Sequence, residues 1–216
     1  MGTQIKTFCD DKIADVVNSY MRRTITSLED LYEVSDFTKR RLYLIDDITA
    51  DIGPVIEAAI RLYNNFDDEN NIPVEERLPI KIFINTDGGD LLAAFTIADA
   101  ILLSTTPVWT INQGKAYSAG FLIFICGHKR LALNNSSFLF HEGAITFSGD
   151  AHKFENGADF YKKQRGTIKD LVINQTKVNE ETYKEHCKDD WWLTSKDALE
   201  YGVADEVVDR SSYLTI

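Results

Sequence analysis

The chain has 216 residues, enough for one sizeable core or two small ones, and its 44% hydrophobic content is ordinary for a soluble globular protein. A formal net charge of -11, from 34 acidic against 23 basic residues, repels phosphate backbones and sets nucleic acid aside as a partner. No apolar run approaches the ~18 residues of a membrane span, and the three cysteines (Cys9, Cys126 and Cys187) include no CxxC pair, which argues against a disulfide framework or a structural zinc site and suits a reducing, cytoplasmic setting.

The first residues, MGTQIKTFCDDK, carry no apolar run, so no secretory signal is read there. From about Asp10 to Arg23, the residues Ile13, Val16, Val17, Tyr20 and Met21 share one helical face. That predicts an amphipathic helix packed on the body or on a neighbouring subunit. Arg41–Ile45 predicts a strand. Ile56, Ala59, Ile60 and Tyr63 predict a helix over 50–66, and the charges and Pro73 of residues 67–79 predict a surface loop. Lys81–Asn85 reads as a second strand ending in the turn Thr86–Gly89. Residues 91–104 are apolar almost all round and predict a buried helix.

Val108–Asn112 reads as a third strand, followed by a glycine turn at Gln113–Gly114 and an apolar helix from about Ser118. Short strands fit 130–133 and 137–141. A long helix of mixed charge is predicted over 154–178, with Phe160, Ile168, Leu171, Val172 and Gln175 along one stripe, projecting from the strand-rich core. The hydroxyl start at Thr194–Asp197 and the stop at Gly202 bracket a short helix. Strands alternating with helices predict βαβ units and a mostly parallel sheet, and no linker divides the chain into separate domains.

Two glycine turns thus follow two strands, at the carboxyl ends where open α/β sheets bind ligands. Neither matches a dinucleotide or P-loop fingerprint, which sets nucleotide binding aside. Ser118, between Tyr117 and Ala119-Gly120, has two readings: a helix N-cap, or a nucleophile exposed at a strand–helix turn. His141 directly follows an apolar strand, a rigid platform for a general base. Asp190 precedes Trp191-Trp192, which would pull an acidic turn against the core and let an aspartate orient an imidazole.

Four segments in order, INTDGG (84–89), GKAYSAG (114–120), NSSFLFH (135–141) and LTSKDALEYG (193–202), resemble ClpP, the proteolytic subunit of ATP-dependent Clp proteases, over roughly residues 40–208. The resemblance implies an α/β ClpP/crotonase-like βαβ spiral, with 154–178 as its projecting handle helix. It implies an N-terminal extension over 1–36 and a protease domain over 37–210. Its triad falls on Ser118 as nucleophile, His141 as general base and Asp190 as orienting acid, with Gly89 and Ala119 as oxyanion-hole donors. Substrate-binding positions fall on Gly88, Gly143, Ala144 and Ile145, where an extended peptide adds by strand pairing.

The activity implied is serine endopeptidase action on unfolded proteins or peptides inside stacked heptameric rings of identical subunits, without metal or cofactor. A Clp ATPase of the AAA+ class is the partner the resemblance offers. Lys81, where the family has a tyrosine, and the divergent N-terminus weigh against its docking. The family's Pro-Gly-Gly is Asp87-Gly88-Gly89 here, followed by Asp90, which places two extra acids near the oxyanion hole. The alternatives are a non-catalytic ring subunit, a phage- or plasmid-type maturation protease that acts without an ATPase, and a crotonase-type acyl-CoA enzyme.

Overall fold

The computed structural model describes residues 36, 38–143 and 150–213. The chain divides into two units, Met1–Leu42 and Tyr43–Ile216. In the first, the described residues are 36 and 38–42, and Arg41 pairs with Asp36 at 3.7 Å. The helix expected at 10–23 lies outside the described residues, as does nearly all of the extension expected over 1–36.

Seven strands form one sheet: β1 (Arg41–Ile45), β2 (Ile80–Thr86), β3 (Val108–Tyr117), β4 (Lys129–Leu133), β5 (Ser137–Phe140), β6 (Trp191–Thr194) and β7 (Glu206–Val208). The order is β1-β2-β3-β4-β7, with β5 beside β3 and β6 beside β5. Pairing is parallel from β2 through β3 and β4 to β7, and from β3 to β5; only β5 and β6 run antiparallel among the registered pairs. The apolar run of β2 fits this arrangement. Ile80, Ile82, Phe83, Ile84 and Thr86 are all buried, because both faces of a parallel strand are covered.

Among the described residues the helices are α1 (Ile52–Glu69), α2 (Leu91–Leu102), α3 (Ala119–Ile125), α4 (Ala151–Gln175), α5 (Glu180–His186), α6 (Ser195–Glu200) and α7 (Arg210–Tyr213). Helix α2 corrects one expectation. Ala93, Ala94, Ile97, Ala98 and Ile101 are buried at the spacing of one face, while Leu92 and Leu103 are exposed. Packing against α1 and α3 covers that stripe and leaves the rest open. The helix buried along its whole length is α3, all seven of whose residues are buried.

The glycine turn expected at Gln113–Gly114 is instead a bulge inside β3. Ile84 faces Asn112 and Thr86 faces Ala116, so β3 spends two more residues than β2 over the same step. Asn112 stabilises the detour: its Oδ1 accepts from Gly114 N at 3.0 Å, and its Nδ2 donates to Ser137 O at 2.9 Å. Before the bulge β3 pairs with β4; beyond it, Lys115–Tyr117 pair with Ser137–Leu139 of β5. The bulge therefore carries Ser118 to the end of β3 beside β5.

The surface loop expected over 67–79 also differs. Helix α1 continues to Glu69, and a 3-10 turn spans Val74–Glu76. Asp67 is fully buried and accepts from Thr106 Oγ1 at 2.7 Å; Ile72 is buried as well. The Arg77 side chain, 7% exposed, donates to Ile72 O at 3.0 Å and to Thr105 Oγ1 at 2.8 Å, and pairs with Asp68. Burial is tolerated because each charge meets a partner. Arg77→Ala is expected to lower the unfolding free energy by about 2–3 kcal/mol, read from the denaturant midpoint, since a buried carbonyl and a carboxylate lose charge-assisted donors together.

Helix α4 starts three residues earlier than expected, with Asp150 as its N-cap accepting from Lys153 N at 3.0 Å. Ile168 and Val172 are buried, whereas Phe154 and Phe160 are exposed. The short α6 begins with the expected signal: Thr194 and Asp197 form a reciprocal capping box, and Gly202 follows at φ +65°.

Candidate active site

Ser118 stands between β3 and α3 with φ +53° and ψ -117°. A non-glycine residue there carries about 1–3 kcal/mol of strain. The surroundings hold it in place. Its N–H donates to Leu139 O at 2.9 Å, and its carbonyl accepts from Phe121 N at 3.0 Å. The N-cap reading fails for its side chain, which makes no capping bond. The hydroxyl instead lies 2.7 Å from His141 Nε2.

Small neighbours make this approach possible. A Cβ on Gly88 would stand 2.7 Å from Ser118 Cβ, and one on Gly120 would stand 2.4 Å from Thr86 Cγ2. The AYSAG and TDGG segments are thus packed on each other, and glycine is needed at both contacts.

His141 follows the last residue of β5 and Asp190 precedes the first of β6; their strands are joined through Phe140 and Trp191. The imidazole Nδ1 lies 3.3 Å from Asp190 Oδ1, so Ser118, His141 and Asp190 form one line of contacts. Asp190 is not held against the core as expected: its side chain is 56% exposed. Strand alternation is the reason. Trp191 and Leu193 point inward, Trp192 points outward, and Asp190 shares the outward set.

Two backbone N–H groups, of Gly89 and Ala119, lie on segments that line the cavity beside Ser118. Ile48 bridges the glycine turn, donating to Gly88 O at 2.8 Å and accepting from Asp90 N at 2.7 Å. The Gly88 carbonyl therefore faces Ile48, and the N–H across that trans peptide, on Gly89, points the opposite way. Ala119 is the first residue of α3. Its N–H belongs to the first-turn donors that a helix cannot satisfy itself. Gly89, Ala119, Ser118, His141, Leu122 and Phe160 all line one cavity of about 540 Å³.

Gly143 also lines this cavity, at φ +79°. Gly88 does not: its N–H donates to Thr86 Oγ1 at 3.0 Å and its carbonyl is taken by Ile48. Ala144 and Ile145 lie outside the described residues. Of the two extra acids, Asp90 lines the same cavity, and each has a partner. Asp87 pairs with Lys115, and Asp90 caps α2 by accepting from Ala93 N at 2.7 Å.

One group escaped the sequence reading. Glu142, next to His141, contacts Arg165 of α4 and Tyr183 of α5. Its position beside the histidine was the available signal. Among the described residues no set of three or more His, Cys, Asp or Glu side chains is placed to hold a metal ion, and no helix is long and apolar enough to cross a membrane. Cys126 and Cys187 are free thiols; burial pushes Cys126 up to about 12.

Comparison with known proteins agrees with this architecture. The family model described as Clp protease matches residues 67–211. The ATP-dependent Clp protease proteolytic subunit 2 of Treponema pallidum is 32% identical over 138 residues, covering 63% of this chain and 69% of that one. The proteolytic subunit of Deinococcus radiodurans is 32% identical over 134 residues, covering 61% and 66%. The structure of a point mutant of ClpP1 from Listeria monocytogenes superposes with a TM-score of 0.70 at 24% identity, covering 82% of this chain and 96% of the other, which shows the fold to be that of ClpP. The chain belongs to the Clp protease family.

Proposed function

We propose that this chain is a serine endopeptidase that cleaves unfolded proteins or peptides through an acyl-enzyme, working inside a ring of identical subunits. The observation that carries the reading is the 2.7 Å contact between His141 Nε2 and a Ser118 hydroxyl held at φ +53°. Strain of this kind persists only where surrounding contacts enforce it, and it clusters at reacting groups.

In the proposed reaction Ser118 Oγ attacks the peptide carbonyl carbon while its proton passes to His141 Nε2. The carbonyl oxygen becomes an oxyanion, for which the Gly89 and Ala119 N–H groups are the proposed donors. Collapse breaks the C–N bond, and the imidazolium hands its proton to the departing amine. Water then attacks the ester with the same base, releasing the acid and restoring Ser118. Asp190 keeps the Nδ1 proton in place and stabilises the imidazolium.

The cavity beside Ser118 takes the substrate, with Gly143 on its rim and Ala144 and Ile145 next in sequence as proposed strand-pairing positions. Action without a Clp ATPase is supported by two lysine side chains over Trp109, of which Lys129 also pairs with Glu206 at 3.1 Å. The Lys81 and Lys129 ammonium groups lie 5.7 and 4.9 Å from the Trp109 ring centre, where the family resemblance implies an uncharged aromatic surface. A cytoplasmic location accompanies the reading.

A fluorophosphonate probe tests it. The unmodified protein is expected to label at Ser118, and Ser118→Ala is expected not to label. Equal labelling of both, or none of either, overturns the peptidase reading; none of either supports a non-catalytic ring subunit. Asp190→Asn is expected to lower kcat by about 10²–10⁴-fold while leaving the melting temperature unchanged, because an exposed carboxylate orients the base without holding the fold. Steady-state hydrolysis of a short peptide amide measures this.

A further inference from the structure

Residues His141–Gly143 lie beyond both strand ladders that hold β5. The last β3 pair is Tyr117 with Leu139, and the last β6 pair is Phe140 with Trp191. Backbone pairing therefore ends one residue short of the imidazole that meets Ser118. The hold past that point comes from side chains of two helices. Tyr161 Oη, from α4, lies 2.9 Å from Glu142 O and 3.0 Å from Gly143 O. The Glu142 carboxylate, its side chain 12% exposed, accepts from Tyr183 Oη at 2.9 Å through Oε1 and pairs with Arg165 through Oε2.

None of these groups touches the Ser118 hydroxyl, so they act through the histidine they adjoin. Tyr183 and Arg165 both face Glu142 as donors. Burial, then the Glu142 hydrogen bond, raises Tyr183 far above the usual phenol range, so it remains a donor. Glu142 likewise raises Arg165. Tyr183 is buried and packs on Phe140 with ring centres 5.6 Å apart, which ties the clamp to the end of β5 itself. A carboxylate held by a charged donor and a buried hydroxyl has little rotamer freedom, and it transmits that restriction to the adjoining backbone.

We propose that Glu142, clamped between Arg165 and Tyr183, is a positioning residue that fixes the His141 ring at bonding distance from Ser118. The inference rests on the peptidase reading above. It makes the base's placement depend on α4 and α5 as well as on the strand that carries it. Loss of the clamp lets the imidazole sample positions from which proton transfer fails, and a misplacement of about 1 Å costs up to about 10²-fold in rate.

Arg165→Ala is the cleanest variant. Arg165 lies on the exposed side of α4, and alanine is the best helix former, so the helix persists. The inactivation rate by a fluorophosphonate and kcat for a short peptide amide are expected to fall about tenfold or more, the range for groups that orient a catalytic ligand. KM and the melting temperature are expected to stay unchanged. Arg165→Lys should recover most of the rate, because the ion pair with Glu142 is restored. Glu142→Gln, which keeps an acceptor for Tyr183, should behave as Arg165→Ala does.

Full reactivity of both Arg165→Ala and Glu142→Gln overturns the inference while the peptidase reading stands. So does a loss of rate that tracks a fall in melting temperature, or that Arg165→Lys does not repair. Unmodified protein that fails to label at all overturns the peptidase reading and the inference with it.

Discussion

Ser118→Ala is expected to reduce turnover of a peptide substrate by about 10⁴–10⁶-fold while leaving the fold intact, measured by hydrolysis rate and by thermal unfolding of the same preparation. The loss follows from chemistry alone. The 2.7 Å contact with His141 Nε2 is the path by which the hydroxyl loses its proton, and a methyl group has none to give. Stability is governed separately, by the backbone. Alanine at φ +53° keeps the strain that serine bears, whereas glycine adopts that conformation freely. Ser118→Gly is therefore expected to unfold at higher denaturant than Ser118→Ala, by about 1 kcal/mol, while being equally inactive. A Ser118→Ala protein that loses less than about 10²-fold in turnover sinks the nucleophile assignment. A Ser118→Gly protein less stable than Ser118→Ala sinks the account of the strain.

The second large effect belongs to Gly89. An added Cβ would stand 2.2 Å from Ile48 O and 2.9 Å from Ile48 N, at a residue whose φ is +142°. Both neighbours are backbone atoms engaged in the bridge that fixes the turn, so no side chain can rotate aside. Gly89→Ala is expected to cost about 3 kcal/mol or more in unfolding free energy. Turnover should fall by about 10²–10³-fold in the protein that still folds, because the turn displaces the amide proposed to meet the oxyanion. Gly143→Ala is the control. Its φ is +79°, yet nothing lies within 4 Å of the added carbon, so strain alone applies and about 1 kcal/mol is expected. Equal stability of the two variants, by chemical denaturation, would falsify the steric argument.

The sequence carried the order of elements because that order is written in local chemistry. The largely apolar run Ile80–Ile84 reads as a covered strand, and Thr194 with Asp197 reads as a helix cap. Local chemistry left Ser118 and His141 with two readings each, and the resemblance of four ordered segments to ClpP chose between them.

Other features depend on which surfaces meet. Gln113–Gly114 reads as a turn in isolation, and pairing with β2 and β5 makes it a bulge. The charged stretch 67–79 reads as solvated until Thr105 and Thr106 come within reach of Arg77 and Asp67. The outward set of β6 decides that Asp190 is exposed, and only the packing of α4 and α5 brings Arg165 and Tyr183 to Glu142.

What the sequence determined by itself was the periodicity, the caps and the residue types able to react, since each rests on interactions a few positions apart. The tertiary structure alone decided the distances among Ser118, His141 and Asp190 and the bridge from Ile48 to the glycine turn. Those depend on contacts between residues far apart in the chain, and local preference carries no information about where such residues meet.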